Sequence, residues 1–155
     1  MLTVGILGAM TFVAVWASVI DVRAHRLPNE LTGIIFICGL ALTVLWLTMT
    51  DGYFPSMKLA IWLAITTFHI ALALHPSRPV GMGDAKLIAG LSLPMVWWGS
   101  ATTWLLLAYF SGSAVGLVRR RTLQSQRIAF GPYLTGGWIV VVVGQLARVA
   151  MAYSR

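Results

Sequence analysis

The sequence predicts an all-α integral membrane protein, a polytopic bundle of six transmembrane helices in which helices four and five are short or broken. Three observations predict it. Hydrophobic residues make up 59% of the 155-residue chain and charged residues only 10%, with a mean hydropathy of +0.85, whereas soluble domains carry roughly 25% charged residues. The eleven Lys or Arg and four Asp or Glu cannot cover the surface of a compact soluble chain, which excludes a soluble enzyme and makes lipid the solvent of the apolar excess. Finally, apolar runs fall at 2–20, 31–50, 58–74, 85–118 and 132–150, and nearly all charge, proline and turn residues lie between them.

The first run makes one span ending at Asp21, and its lack of a basic n-region argues against a cleaved signal peptide. Pro28-Asn29 breaks the chain, with Asn29 offered as N-cap of helix two. That helix holds Cys38, the single cysteine, which makes neither an intrachain disulfide nor a Cys-x-x-Cys site and reads as a buried thiol. Asp51-Gly52 with Pro55 forms an external turn into helix three. The fourth run, 34 residues at 85–118, would be about 51 Å as one straight helix, too long for one crossing. Pro94 and Trp97-Trp98-Gly99-Ser100 then mark a tight hairpin that divides it into helices four and five. The last run is helix six. Trp46, Tyr53, Trp62, Trp97, Trp98, Trp104 and Tyr133 lie mostly toward run ends, where aromatic rings favour the membrane interface.

Charge decides the number of spans. With six, the gaps 21–30, 75–86 and 119–131 share one face and carry Arg23, Arg26, Arg78, Lys86, Arg119, Arg120, Arg121 and Arg127. The other face keeps Lys58, Arg148 and Arg155, a split of eight to three that the positive-inside rule reads as cytoplasmic against external, with both termini external. The net charge of +7 is therefore a topology and anionic-lipid signal, not one for nucleic acid. No internal repeat or linker divides the chain, so residues 1–155 read as one transmembrane domain with no room for a soluble one.

Acids in or beside the membrane are costly, and there are four: Asp21, Glu30, Asp51 and Asp84. Helix one ends at Asp21 and helix four starts at Asp84, so both stand at the cytoplasmic boundary. Two carboxyls at one depth on facing helices can share a proton, because adjacent like charges in a poorly solvated site resist double ionisation. The ionised member can then act as base on a water while the protonated member polarises a carbonyl, the chemistry of an aspartyl protease. Simpler readings stand beside this one. Asp84 suits an N-cap. Asp21, at a helix C-terminus that disfavours a carboxylate, would need an ion pair with His25 or Arg23. Glu30 suits the first turn of helix two, and Asp51 a turn.

Gly81-Met82-Gly83 allows close backbone approach to an extended peptide, or a plain turn. Lys86 either snorkels to headgroups or tunes the two acids. His69 and His75 lack a third ligand at recognisable spacing, so neither a metal nor any other cofactor is expected.

Three segments together resemble the type IV prepilin peptidases, membrane aspartyl proteases with a Gly-x-Gly-Asp motif. They are Asp21-Val22-Arg23-Ala24-His25-Arg26-Leu27-Pro28-Asn29-Glu30-Leu31-Thr32, Gly81-Met82-Gly83-Asp84-Ala85-Lys86-Leu87, and Phe130-Gly131-Pro132-Tyr133-Leu134. Their order, spacing and common face make the combination specific. The resemblance implies Asp21 and Asp84 as the catalytic pair, with Pro28, Asn29, Gly81, Met82, Gly83, Lys86, Gly131 and Pro132 supporting the motifs or the substrate. It implies a prepilin or pilin-like substrate with a basic leader and an apolar helix, cut at the cytoplasmic face of the inner membrane. Larger members add a cytoplasmic domain with paired cysteines and methylate the new N-terminus. This sequence lacks that domain, so neither methyltransferase activity nor a zinc-binding domain is expected. The compact form looks most like the short peptidases of tight-adherence (Flp) pilus systems, with archaeal preflagellin peptidases as relatives. A small ion-coupled transporter would place its acids near mid-membrane, and a non-catalytic pilus-assembly scaffold would use them as cap and ion pair.

Overall fold

Backbone groups in lipid have no water to turn to, so long apolar segments satisfy them internally as helices. The computed structural model describes residues 2–49, 56–77, 80–122 and 129–154. Among them are six helices: α1 (Leu2–Ala24), α2 (Asn29–Met49), α3 (Ser56–Leu74), α4 (Met82–Trp97), α5 (Ala101–Thr122) and α6 (Gly131–Tyr153). All but α4 contain a stretch long and apolar enough to cross a membrane. The expected turn at Asp51 and Gly52, with Tyr53 and Pro55, lies outside the described residues, as do Arg78, Arg127, Arg155 and the side chains of Arg119 to Arg121.

Two boundaries differ from the sequence reading. α1 does not stop at Asp21 but runs to Ala24, ending where His25 takes a left-handed φ of 49°. α4 is short at 16 residues, about 24 Å, but α5 has 22. It is longer than expected because the helix continues past the apolar run through the arginines. The hairpin between them forms as the residues suggested. Gly99 has φ +70°, its N–H donates to Val96 O at 3.1 Å, and Ser100 N–H donates to Met95 O at 2.8 Å. This is the Schellman ending, whose left-handed position favours glycine.

α4 is the axis of the bundle. Twelve of its sixteen residues are buried, and it packs against α2, α3, α5 and α6, so protein rather than lipid solvates it. α2 approaches it through glycines. A Cβ on Gly39 would stand 2.8 Å from Gly90 O, and one on Gly90 would meet Phe36 N at 3.1 Å, the close backbone approach that small residues allow between membrane helices. Pro94, four residues after Gly90, has no N–H for that carbonyl.

Indole N–H groups fasten the remaining helices to backbone carbonyls or hydroxyls. Trp62 donates to Ala89 O at 2.9 Å, Trp104 to Leu134 O at 2.8 Å, and Trp97 to the Thr43 hydroxyl at 2.9 Å. Trp97 and Trp104 are therefore buried packing residues and not interfacial anchors. Lys58 caps the end of α4 by donating to Trp97 O at 2.6 Å, beneath the rings of Trp46 and Trp97.

Candidate active site

A carboxylate in the last turn of α1 faces the wrong end of its own helix dipole, yet Asp21 is buried, with 5% of its surface exposed. The compensation comes from a helix more than a hundred residues away. The Asp21 Oδ2 accepts the Gly131 backbone N–H at 3.0 Å, in the first turn of α6. That turn has unpaired N–H groups and the positive end of the dipole, so α6 supplies what α1 withholds. Pro132 follows in the first turn, where a missing N–H costs nothing. Just below, the Ser18 hydroxyl donates to Thr135 Oγ1 at 2.8 Å and ties α1 to α6.

Gly131 is glycine for a steric reason: a Cβ there would stand 2.9 Å from Asp21 Oδ2 and 3.4 Å from its Cβ. Gly131→Ala is expected to push the carboxyl away from its donor and to cost about 1 kcal/mol of stability, with helical content and detergent monodispersity retained. Thermal unfolding followed by circular dichroism tests this, and a wild-type Tm would show that the carboxyl keeps its donor.

Asp84 lies in the first turn of α4, but not as its cap. Gly81 occupies the N-cap position, without a side-chain bond. The Asp84 Oδ2 turns back toward Gly81, where a Cβ would come within 3.0 Å. Its Oδ1 is buried without a hydrogen-bond partner. Asp21 and Asp84 lie within electrostatic reach of each other. Gly83 lets the α1–α2 loop close over this turn, since a Cβ there would lie 2.8 Å from Leu27 Cβ. The Lys86 ammonium donates to Asn29 Oδ1 at 2.7 Å. So Lys86 ties α4 to the Pro28-Asn29 segment, and the Asn29 side chain serves this bond and not the helix cap expected of it.

The three segments singled out in the sequence thus meet at one end of the bundle. Met82 stands at the rim, 38% exposed. Glu30 is an exposed first-turn acid of α2, and among the described residues His75 bonds locally, through Nδ1 to the Ser77 hydroxyl at 2.8 Å. Cys38 is half-buried. Among the described residues, no three His, Cys, Asp or Glu side chains gather as a metal site requires. Sequence reasoning missed one group altogether. Tyr109 of α5 lies within electrostatic reach of Asp84 and bonds to His69 Nε2 at 2.7 Å. Its ring packs 5.1 Å from that of Phe130, the residue before Gly131. No local pattern marks Tyr109, whose neighbours come from three helices meeting.

The model of the type IV leader peptidase family matches residues 8–117, a stretch that contains both aspartates and the Gly81–Lys86 turn. The chain belongs to the type IV leader peptidase family. Comparison with curated proteins and with solved structures finds no match. The family makes the chain a membrane peptidase of long apolar helices. Phe130-Gly131-Pro132 lies beyond the matched stretch, and the Asp21–Gly131 bond is what joins it to the rest of this leader peptidase's site.

Proposed function

We propose that this leader peptidase is an aspartic endopeptidase that removes the basic leader from Flp-type prepilins or pilin-like proteins at the cytoplasmic boundary of the inner membrane. Asp21 and Asp84 form its catalytic pair. The observation that carries the reading is the convergence of these two acids, on α1 and α4, within reach of each other's charge. Their place at one end of the bundle, rather than at its middle, favours a peptide bond beside an apolar helix over an ion in transit. In this reading all six helices cross the membrane, α4 as a short crossing enclosed by its neighbours. Both termini are external, and the basic gaps face the cytoplasm.

The substrate's apolar helix packs laterally against the enzyme in the membrane, placing the scissile bond at the depth of the two carboxyls. Water arrives from the cytoplasmic side. One carboxylate takes a proton from the water as its oxygen attacks the carbonyl carbon, while the other carboxyl gives its proton to the carbonyl oxygen. The resulting gem-diol collapses with a proton delivered to the leaving nitrogen, and no covalent acyl-enzyme forms. Two carboxyls and one water account for the chemistry.

The test is co-expression with a prepilin encoded in the same genome, with leader removal followed by mass spectrometry. Loss of the leader only in cells carrying the peptidase is the expected result. An intact leader on every pilin-like protein of that genome, with the peptidase well inserted, would overturn the reading.

A further inference from the structure

Asp21 is buried, as is one carboxyl oxygen of Asp84, so a polypeptide reaches these acids only if helices part. Around α4 the outer helices close on one another at α1–α2, α1–α6 and α5–α6. α3 closes on none of them. Among the described residues its Cα atoms come within 8 Å of those of α4 alone. A seam therefore runs along each side of α3, one toward α2 and one toward α5, and side chains bridge both.

The α2 side is firmly held. The rings of Phe36 and Trp62 lie 6.2 Å apart across it, and the Trp62 indole is fixed to Ala89 O of α4. At the acid end the α1–α2 loop is fastened to α4 by the Lys86–Asn29 bond and by Leu27 lying against Gly83. α2 itself meets α4 backbone against backbone at Gly39 and Gly90. The hydrogen bond that crosses the α5 side joins His69 Nε2 to the Tyr109 hydroxyl at 2.7 Å, with the two rings stacked 5.9 Å apart. One turn along α3 from His69, the Thr66 hydroxyl is buried with no partner, a cost that a fully matched interface avoids.

The α5 seam leads to the acids. The Tyr109 ring packs 5.1 Å from that of Phe130, the N-cap residue of α6, and the next residue's N–H, that of Gly131, donates to Asp21 Oδ2 at 3.0 Å. His69 stands five residues before the end of α3 at Leu74, about 8 Å along the axis. The pair is thus inside the membrane, at a depth where an apolar helix passes and a basic leader does not. Interhelical hydrogen bonds are weak in lipid because the parted groups find other partners, and the water that serves the acids offers one.

We propose that the α3–α5 seam is the lateral entry for the substrate's apolar helix, and that the His69–Tyr109 bond is the latch that closes it when no substrate is bound. This rests on the peptidase reading above, which brings the end of an apolar helix to the depth of the acids. Entry here lays that helix between α3 and α5, with its first turns beside His69 and Tyr109 and the scissile bond near the start of α6. His69 and Tyr109 gate the site and touch no reacting atom.

The test is photo-cross-linking of a prepilin to the full-length Asp21→Asn enzyme in lipid bilayers, with p-benzoylphenylalanine in place of one exposed phenylalanine. Phe68, whose ring meets that of His69 edge-on at 5.4 Å, and Phe110, next to Tyr109, report on the seam. Phe12 is the control, on α1, which packs on neither α3 nor α5. All three are more than half exposed. Cross-links from positions 68 and 110 to the first turns of the prepilin's apolar helix are expected, with background alone from position 12. Cross-links to lipid alone from both seam positions, or to prepilin chiefly from position 12, would overturn the entry.

Tyr109→Phe removes the latch and is expected to raise the initial cross-linking rate from position 68 about threefold, the shift that one interhelical hydrogen bond in lipid is worth. An unchanged or lower rate, in a monodisperse and helical protein, would overturn the latch. If Tyr109→Phe does not insert, His69→Phe is read in the same way from position 110. Wild type that cleaves while the seam gives no prepilin cross-link faults this inference alone, whereas no cleavage by wild type overturns the peptidase reading.

Discussion

Asp21→Asn and Asp84→Asn are each expected to abolish leader removal, by about 100-fold to 10,000-fold in turnover, while an inserted, helical protein remains. Asparagine matches the carboxyl in size and still offers an oxygen, so Asn at 21 retains the bond from Gly131 that fixes the start of α6. What it cannot do is take up a proton or give one. Asn at 84 likewise fits the α4 turn, where Gly81 and not Asp84 is the cap, and it too can neither take up nor give a proton. The comparison is made on purified enzymes in one detergent, with leader cleavage followed by mass and folding by circular dichroism. Turnover above a tenth of wild type in either variant would overturn the catalytic pair. Asp21→Ala is the informative contrast, because it also removes the acceptor of the Gly131 N–H and is expected to lower Tm as well as activity, a cap being worth about 1 kcal/mol.

Gly90→Leu is expected to be the most damaging single change to the fold. Gly90 faces the backbone of α2, with a Cβ meeting Ile35 Cγ2 at 2.9 Å, Phe36 N at 3.1 Å and Phe36 Cα at 3.2 Å. A side-chain neighbour can rotate away, but a helix backbone cannot. Leucine there must therefore drive α2 off α4 along the whole crossing, which also holds the Gly39 approach to Gly90 O and the Trp97–Thr43 bond. Overpacking a tight core costs about 1–3 kcal/mol, and the rigid partner puts this case at the upper end. Lost monodispersity in mild detergent, or a large drop in Tm, is the expected outcome. The acids are carried on α1 and α4, both packed against α2, so cleavage should fall with the fold. A wild-type Tm would show that α2 and α4 cross elsewhere.

The membrane class, the helix order and the hairpin at Gly99 were legible in the sequence because each is a local property. Apolar runs of span length, a proline before a glycine turn, and charges gathered in alternate gaps can all be read along one line. The same holds for the three site segments, which carry distinctive residues at short spacing. The register between helices was not legible. Whether Trp104 faces lipid or buries its indole on Leu134 O depends on which side of α5 meets α6, and these apolar helices are too weakly amphipathic to declare a face.

By itself the sequence determined the solvent of this protein and its helices, and it singled out the two acids. The tertiary structure decided how those acids are held. Read along the chain, Asp21 is a carboxylate at an unfavourable helix end that needs a cation. In the fold it caps α6 through Gly131 N–H, 110 positions away. Lys86, a candidate for headgroups, bonds Asn29 instead, and His69, considered for a metal, bonds the Tyr109 hydroxyl. The physical reason is the same in each case. A polar group removed from water takes the nearest donor or acceptor in space, and which one is nearest is fixed by helix packing, on which residue order along any one helix is silent.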